Sequence, residues 1–238
     1  MKIGNVSSYY DKDYFYPNFK TYVDQFGVER KYYGPSKDWH GFDYIARFIS
    51  NEFTSVHTIL DIGCSAGSFV ARSTAMGFDC IGVDVSTFAV KNCLPEAKGR
   101  VHAGNILVEN PTKKYDMLTG FDLMEHLLVK DIPKAISYIQ NSLNPGGFFF
   151  ACISTAKNGS ELFEHSSFED DIPPDKTWLG VSGHVNVKYI HTWIKDFENY
   201  GFKTDYERMM KFQLFRFMSA DMARVESWGP LNVYIGRM

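Results

Sequence analysis

The stretch that most constrains this chain is residues 59–69, where a short apolar run ends abruptly in small residues. The apolar positions stop at Ile62 and a helical pattern follows, so the sequence predicts a strand, a tight turn and a helix N-terminus. Gly63 and Gly67 lack side chains, which we expect where another group must approach the backbone closely. Asp61 places a carboxylate at the strand tip, facing the unpaired N–H groups of the new helix. Such a site suits a small zwitterion that carries both an ammonium group and a carboxylate.

A second carboxylate follows one strand–helix unit later. The run at 78–83 predicts the next strand, and that strand ends in Asp84. An acid at the tip of the second strand, about 20 residues after a glycine turn, typically binds ribose hydroxyls in nucleotide-binding sheets. The two strand tips therefore predict a site for a nucleotide-like ligand with a zwitterionic end.

The rest of the chain alternates predicted strands with predicted helices. Strands are predicted near 58–62, 79–84, 100–103, 115–121 and 148–153, and helices near 42–52, 69–76, 132–143 and 188–200. Residues 202–209 and 231–236 are the last strand candidates, whereas the pattern at 212–218 is too mixed to assign. The alternation predicts an α/β fold with a parallel sheet and helices on both faces.

Four ordered blocks resemble the class I S-adenosylmethionine-dependent methyltransferases, most closely those that act on small molecules and glycans. The blocks are 61–69, 82–86, 115–127 and 143–150. The resemblance implies a Rossmann-like, doubly wound, mostly parallel seven-stranded sheet. It also implies S-adenosyl-L-methionine as cofactor and S-adenosyl-L-homocysteine as product.

The resemblance further implies which residues bind the cofactor. They are Asp61, Gly63, Cys64, Ser65, Gly67, Phe69, Asp84, Val85, Asn105, Ile106 and Phe121. At Asn105 the family often has an acid that contacts the adenine amine. An amide oxygen can also accept that hydrogen bond, so Asn105 is assigned to the adenine as a departure from the family pattern.

Three residues are candidates for the catalytic side of the site. Asp122 and His126 lie just past the fourth predicted strand, at the edge where open α/β sheets bind their ligands. His184 precedes the helix at 188–200 and is the predicted general base for a hydroxyl acceptor, because an unperturbed histidine titrates near neutrality. Structural alternatives stay open: Asp122 as a cap of the following turn, His126 as a helix histidine, and His184 as an anchor of its loop.

Two segments are expected to flank the site. Residues 1–40 are rich in tyrosine and form either an N-terminal aromatic cap, acting as a lid, or an irregular wrap packed on the sheet. Residues 41–238 form the predicted S-adenosylmethionine-binding methyltransferase domain. Within it, residues 154–186 form a long loop on the substrate side, of a length that is uncommon unless the loop is functional or disordered.

Composition narrows the choice of partners. The net charge is −3, which gives no electrostatic case for nucleic acid, and the four cysteines show no metal-binding spacing. The acidic run at 169–171 is interpreted as solvated loop charge, so we predict no metal. No apolar run approaches membrane-span length, and the first residues lack the apolar core that a signal peptide is expected to have. We therefore expect a soluble, cytoplasmic monomer or homodimer that acts on a small-molecule or glycan substrate.

The predicted reaction is O-methylation of a sugar, a glycan or another small hydroxylated metabolite. N-methylation of an amino sugar, an amine or a protein is an alternative. Residues 63–67 also fit the hydrolase pattern G-x-S-x-G, with Ser65 as nucleophile, although the later blocks would then have no explanation. A non-catalytic S-adenosylmethionine-binding protein would carry the same cofactor residues and is the third alternative.

Overall fold

A computed structural model describes residue 10 and residues 21–23, 29–31, 41–155, 163–164, 184–218 and 233–238. Most of the predicted cap at 1–40, most of the predicted loop at 154–186 and the whole acidic run at 169–171 lie outside the described residues. The cap and the substrate-side loop therefore stay predictions.

Short and long strands alternate with helices along the described residues. The strands are β1 (Thr21–Val23), β2 (Glu29–Lys31), β3 (Thr58–Ile62), β4 (Asp79–Asp84), β5 (Val101–Ala103), β6 (Tyr115–Phe121), β7 (Leu143–Cys152), β8 (Phe163–Glu164), β9 (Asn186–Val187), β10 (Lys203–Thr204) and β11 (Val233–Arg237). The α-helices are α1 (Gly41–Glu52), α2 (Ser68–Ala75), α3 (Thr87–Lys91), α4 (Ile132–Ser142), α5 (Ile190–Asn199) and α6 (Tyr206–Met218). Turns of 3₁₀-helix cover Pro95–Ala97, Met124–His126 and Val129–Asp131.

Seven of the described strands form one sheet in the order β10-β11-β7-β6-β3-β4-β5. The five strands from β7 to β5 are parallel, whereas β11 is antiparallel to β7 and β10 is antiparallel to β11. The direction of winding reverses between β3 and β6. In open α/β sheets ligands bind at such a switch point, outside the carboxyl ends of the strands. The predicted mostly parallel, doubly wound sheet is confirmed.

Helices cover both faces of the sheet because its central strands are apolar on both sides. In β7, Phe148 and Phe150 pack into one hydrophobic cluster with α1, whereas Phe149 packs into the other with α4 and α5. The same alternation separates Ile59 from Leu60 in β3. Successive strand side chains point to opposite faces, so these strands can be stable only when buried on both.

The last third of the chain corrects one prediction. The strand expected at 202–209 is limited to β10, and the unassigned segment belongs to α6. The Asp205 carboxylate accepts a hydrogen bond from the Arg208 N–H at 2.9 Å, which caps the start of that helix. The helix is held on the sheet by Phe212, whose ring lies 5.0 Å from that of Phe48 and 5.3 Å from that of Phe150. Tertiary packing therefore decides the structure of a segment whose local pattern is mixed.

Within the described residues, no helix has both the length and the apolar character that crossing a membrane requires.

Candidate active site

The turn between β3 and α2 is held in an unusual backbone conformation. Gly63, Ser65 and Gly67 have positive φ angles of 74°, 51° and 81°. The N–H groups of Gly63 and Cys64 donate to the carbonyl of Val83, at 2.8 and 3.2 Å. These hydrogen bonds join the turn to the end of β4 and hold the tips of β3 and β4 together.

The structure gives a different reason for the glycines than the sequence did. A Cβ atom added to Gly63 would lie 3.1 Å from a methyl carbon of Leu123. One added to Gly67 would lie 2.6 Å from the Cβ of Ala97 and 2.8 Å from a methyl carbon of Val101. Protein atoms, not an open ligand space, therefore occupy the volume beside both glycines. Positive φ and close packing together explain why a residue without a side chain is found at each position.

Asp84 organises the tip of β4. One carboxylate oxygen accepts the N–H of Ser65 and the other accepts the N–H of Ser86, both at 2.7 Å. Burial raises the pKa of Asp84, and these two hydrogen bonds partly oppose that rise. Each carboxylate oxygen has a further lone pair, so the side chain can still accept from a pair of vicinal hydroxyls. Ser86 in turn caps α3 by accepting the N–H of Ala89 at 3.0 Å, which holds this end of the strand.

Asp61 is the second carboxylate and is almost completely buried, with 2% of its surface exposed. The Thr119 hydroxyl donates to it at 2.7 Å. Burial raises the pKa of Asp61 to about 8, the charge of Asp84 adds to the rise, and the Thr119 hydrogen bond opposes it. A cationic group placed against Asp61 would restore its charged form. The two carboxylates at the strand tips thus fit a ligand with an ammonium group and ribose hydroxyls.

Four further residues assigned to the cofactor lie in the core or are half-buried. Phe69 and Phe121 are buried with their ring centroids 4.8 Å apart, and Phe42 packs on both, at 5.7 and 5.3 Å. This aromatic cluster supports the turn from the core side. Cys64 is also buried, and Val85 is half-buried next to Asp84. Cofactor contacts by these residues stay predictions.

Asn105 has a role within the protein. Its side-chain oxygen accepts the N–H of Leu107 at 2.9 Å, and its own N–H donates to the Glu109 carboxylate at 2.9 Å. The amide oxygen predicted to contact the adenine also caps the turn after β5, and its contact with the adenine stays a prediction. Ile106 is half-buried and packs against the α4 and α5 side of the core.

The acceptor side of the site begins where β6 ends. Asp122 has a positive φ of 50°, its side chain is exposed, and its N–H donates to the carbonyl of Cys152 at 2.8 Å. The fully buried Glu125, which the sequence-based assignment missed, accepts the N–H of Ser154 at 2.9 Å. Burial raises the pKa of Glu125, and the nearby charge of Asp122 raises it further. The only sequence signal for Glu125 was an acid beside a histidine directly after a buried strand.

Two of the three predicted catalytic residues meet. The rings of His126 and His184 are 4.8 Å apart, edge to face at 85°. Burial, with His126 alongside, holds the pKa of His184 well below its usual value, so this imidazole is neutral at neutral pH. The Tyr10 hydroxyl lies 3.0 Å from Nδ1 of His126, and the Ser86 hydroxyl donates to the Tyr10 carbonyl. Tyr10 thus links the cofactor side of the site with the acceptor side.

Comparison with known proteins decides the family. A family model described as a methyltransferase domain matches residues 39–207. The chain belongs to this methyltransferase domain family. A ubiquinone biosynthesis O-methyltransferase of Acinetobacter baumannii (strain AYE) is 29% identical over 119 residues, which cover 44% of this chain and 47% of that protein. The chain spans about half the length of the curated relatives it matches.

Solved structures of methyltransferases share the fold. A putative O-methyltransferase from Nostoc punctiforme PCC 73102 superposes with a TM-score of 0.56 at 14% identity, covering 83% of this chain and 55% of that one. The glycopeptide N-methyltransferase MtfA, complexed with S-adenosyl-L-methionine, superposes with a TM-score of 0.53 at 11% identity, covering 82% of this chain and 92% of that one. The resemblance to class I methyltransferases is therefore confirmed.

The hydrolase alternative is not supported. The family model covers the glycine turn as part of a methyltransferase domain. Among the described residues no hydrogen bond joins the Ser65 side chain to a histidine, as a nucleophile and its base would require. The backbone of Ser65 instead serves the carboxylate of Asp84.

Proposed function

We propose that this protein is an S-adenosyl-L-methionine-dependent methyltransferase that methylates a hydroxyl group of a sugar, a glycan or another small metabolite. One observation carries the proposal: the Asp84 carboxylate is fixed by the N–H groups of Ser65 and Ser86 beside the buried Asp61. The two acids thus lie at the tips of the adjacent strands β3 and β4, next to the switch point of a methyltransferase-family sheet.

The chain's own residues bind and orient the proposed ligands. Asp84 accepts hydrogen bonds from the ribose hydroxyls, Asp61 faces the ammonium group, and the N–H groups at the start of α2 face the carboxylate. S-Adenosyl-L-methionine, when bound, supplies a methyl group that is already activated on a sulfonium. The protein's tasks are therefore to position the acceptor and to exclude water.

The acceptor side lies around Asp122, His126 and His184. A hydroxyl acceptor must lose its proton, and a neutral imidazole within hydrogen-bond reach can take it. His184 is neutral and meets His126 at the carboxyl end of β6. His184 is accordingly our choice of base, and Asp122, with its exposed carboxylate, is our choice to position the substrate.

Transfer to oxygen is favoured because the curated relative is an O-methyltransferase. The net charge of −3 favours a small substrate over nucleic acid. We propose the cytoplasm as the site of action. Transfer to nitrogen remains the alternative, since an amine would need the same cofactor residues.

Calorimetry with S-adenosyl-L-methionine and S-adenosyl-L-homocysteine tests the cofactor half of the proposal. We expect affinities in the micromolar range, roughly −8 kcal/mol for binding. Folded protein that gives neither heat nor a melting shift with either ligand would refute it.

Mass spectrometry of products from a panel of sugars, glycans and phenols tests the reaction. If the methylated position of the product no longer reacts with reagents that modify free hydroxyl groups, the methyl group is bound to oxygen as an ether. Methylation only of amines would favour the N-methyltransferase alternative. Cofactor binding without turnover across hydroxyl and amine panels would favour a non-catalytic binding protein.

A further inference from the structure

Three side chains with metal-binding atoms meet beside β6 and are not needed to explain the cofactor side. Glu125 and His126 are consecutive in the 3₁₀ turn that follows β6. His184 comes from a distant part of the chain, where the Val185 N–H donates to the Glu125 carbonyl at 2.8 Å. One ligand atom from each of the three side chains lies within 4.8 Å of the other two.

The Glu125 carboxylate shows that this cluster is chemically incomplete. Its side chain is fully buried. One oxygen accepts the Ser154 N–H, but the other has no hydrogen-bond partner within the described part of the chain. A buried carboxylate oxygen without a partner is costly, and native proteins normally satisfy such atoms with a donor, a water or an ion.

The two histidines supply the other two possible ligand atoms of the cluster, one ring nitrogen each. Their rings are packed edge to face with centroids 4.8 Å apart, and a nitrogen of each lies within 4.8 Å of the other and of a Glu125 carboxylate oxygen. The Tyr10 hydroxyl lies 3.0 Å from Nδ1 of His126. Metal-binding histidines commonly have one ring nitrogen in such a hydrogen bond, which fixes the tautomer and directs the other nitrogen to the ion.

We propose that Glu125, His126 and His184 bind one divalent transition-metal ion. Two imidazoles and a carboxylate suit Zn²⁺, Mn²⁺, Fe²⁺ or Co²⁺ better than Mg²⁺ or Ca²⁺, which prefer oxygen ligands throughout. With metal–ligand bonds near 2.1 Å, neighbouring ligand atoms stand about 3–3.5 Å apart, so small side-chain rotations close the site. Three protein ligands leave further coordination positions open.

The open positions give the ion a role, and this part of the proposal rests on the proposed function. The cluster follows β6, and Leu123 of the same connection packs beside Gly63 of the cofactor turn. A hydroxyl acceptor coordinated there would have its pKa lowered: its O–H bond breaks, the oxygen keeps the electron pair on the ion, and the proton passes to water. In this arrangement His184 binds the ion, and the ion replaces the general base that the proposed function assigns to His184.

This inference departs from the sequence-based expectation of no metal. That expectation weighed the acidic run at 169–171 and the spacing of cysteines. Neither feature contributes to the cluster. Glu125 and His126 are neighbours in sequence, but His184 is remote from them, and the fold brings the three together.

Metal titration of the full chain, after removal of bound ions with a chelator, tests the proposal directly. Co²⁺ is the probe, followed by visible absorption, and Zn²⁺ is then added in competition. We expect one ion per chain and displacement of Co²⁺ by Zn²⁺. His126→Ala and Glu125→Gln should each weaken Co²⁺ binding by at least about tenfold, since even outer partners of metal ligands are worth 10–100-fold. Glu125→Gln keeps an oxygen for the Ser154 N–H, so folding should survive.

His102→Ala is the matched control, because His102 is exposed on β5 and lies outside the cluster. It should bind Co²⁺ like the wild type. A wild-type protein with no stoichiometric Co²⁺ or Zn²⁺ binding would overturn the proposal, as would equal binding by wild type and both cluster variants. Calorimetry with S-adenosyl-L-methionine on the same chelated protein separates the two hypotheses. A protein that binds the cofactor but no metal would refute the metal site and leave the proposed function intact. A protein that binds the metal but not the cofactor would refute the proposed function and leave the metal site intact.

Discussion

The two sides of the site are built in different ways. On the cofactor side, Asp84 is held by Ser65 and Ser86, which lie 19 and 2 positions away in the sequence. On the acceptor side, Tyr10 reaches His126 across 116 positions, and His184 is brought in by the segment before α5. The cofactor side is thus a local strand–turn–helix unit with backbone hydrogen bonds. The acceptor side is a meeting of side chains that depends on the whole fold.

Because the two sides are built differently, we expect mutations on each side to change different properties of the protein. Changes on the cofactor side should alter cofactor affinity or the stability of the turn. Changes on the acceptor side should alter turnover while leaving cofactor affinity unchanged. Substitutions on both sides test that separation, and their effects should decrease in the order His184, Gly67, Asp84.

Replacing His184 should have the largest effect. His184→Ala removes either the base or a metal ligand, so turnover should fall by about 10²–10⁴-fold while the affinity for S-adenosyl-L-methionine stays unchanged. Steady-state kinetics and calorimetry on the same preparation measure both quantities. His191→Ala, at an exposed position on α5, is the control and should keep the wild-type rate. Wild-type turnover by His184→Ala would make His184 a structural residue.

Gly67→Ala tests the packing of the turn. The added Cβ meets Ala97 and Val101 at less than van der Waals distance and sits at a φ of 81°, so we expect a loss of about 2–4 kcal/mol in the free energy of unfolding. Gly77→Ala is the matched control, with a φ of 95° and no atom within 4 Å of the added Cβ. It should lose only about 1 kcal/mol, from backbone strain alone. Equal losses in urea unfolding would show that backbone conformation, and not packing, explains Gly67.

Asp84→Ala should weaken binding of S-adenosyl-L-methionine by roughly 1–3 kcal/mol, the loss expected for charge-assisted hydrogen bonds to paired hydroxyls. Asp84→Asn should lose less, because the amide keeps one acceptor oxygen. The control is Asp79→Ala at the other end of β4, where the side chain is exposed and pairs with Arg100. If calorimetry shows equal affinity for wild type and Asp84→Ala, the tip of β4 does not bind the ribose.

A pH dependence of stability follows from the buried Asp61. The folded pKa of about 8 lies above the ordinary value of 3.8, so the folded protein holds a proton that the unfolded chain releases. The resulting contribution to stability is present in full below about pH 4 and is lost as the pH rises towards 8. The melting temperature of the unliganded wild type should therefore fall relative to that of Asp61→Asn across this window.

S-Adenosyl-L-methionine should reduce this pH dependence, because its ammonium group stabilises the charged form of Asp61. Melting curves at several pH values, with and without the cofactor, measure both effects. Parallel curves for wild type and Asp61→Asn would show that Asp61 does not change its protonation in this range. A pH dependence that the cofactor leaves unchanged would place its ammonium group elsewhere.

The ends of the strands follow from the sequence more directly than the partners of single polar side chains. The strands that carry Asp61 and Asp84 were predicted at their observed ends, because a buried parallel strand is a continuous apolar run that stops at a polar tip. For Asn105 the resemblance implies a contact with the adenine, which stays a prediction, and the structure shows in addition that its side-chain oxygen caps its own turn. Short polar side chains compete for nearby backbone groups, and a linear pattern does not show which partner is selected.

The local architecture can be predicted from the sequence alone: a glycine turn between an apolar strand and a helix, an acid at each of two strand tips, and the alternation that makes the sheet mostly parallel. These features depend on residues close together in the chain, where periodicity and backbone conformation decide the outcome. The helical state of 206–218 and the proximity of Glu125, His126 and His184 depend instead on tertiary packing. Helix α6 depends on Phe212 packing against Phe48 and Phe150. The cluster depends on a backbone hydrogen bond between segments remote in sequence, and such pairings are set by burial across the whole sheet.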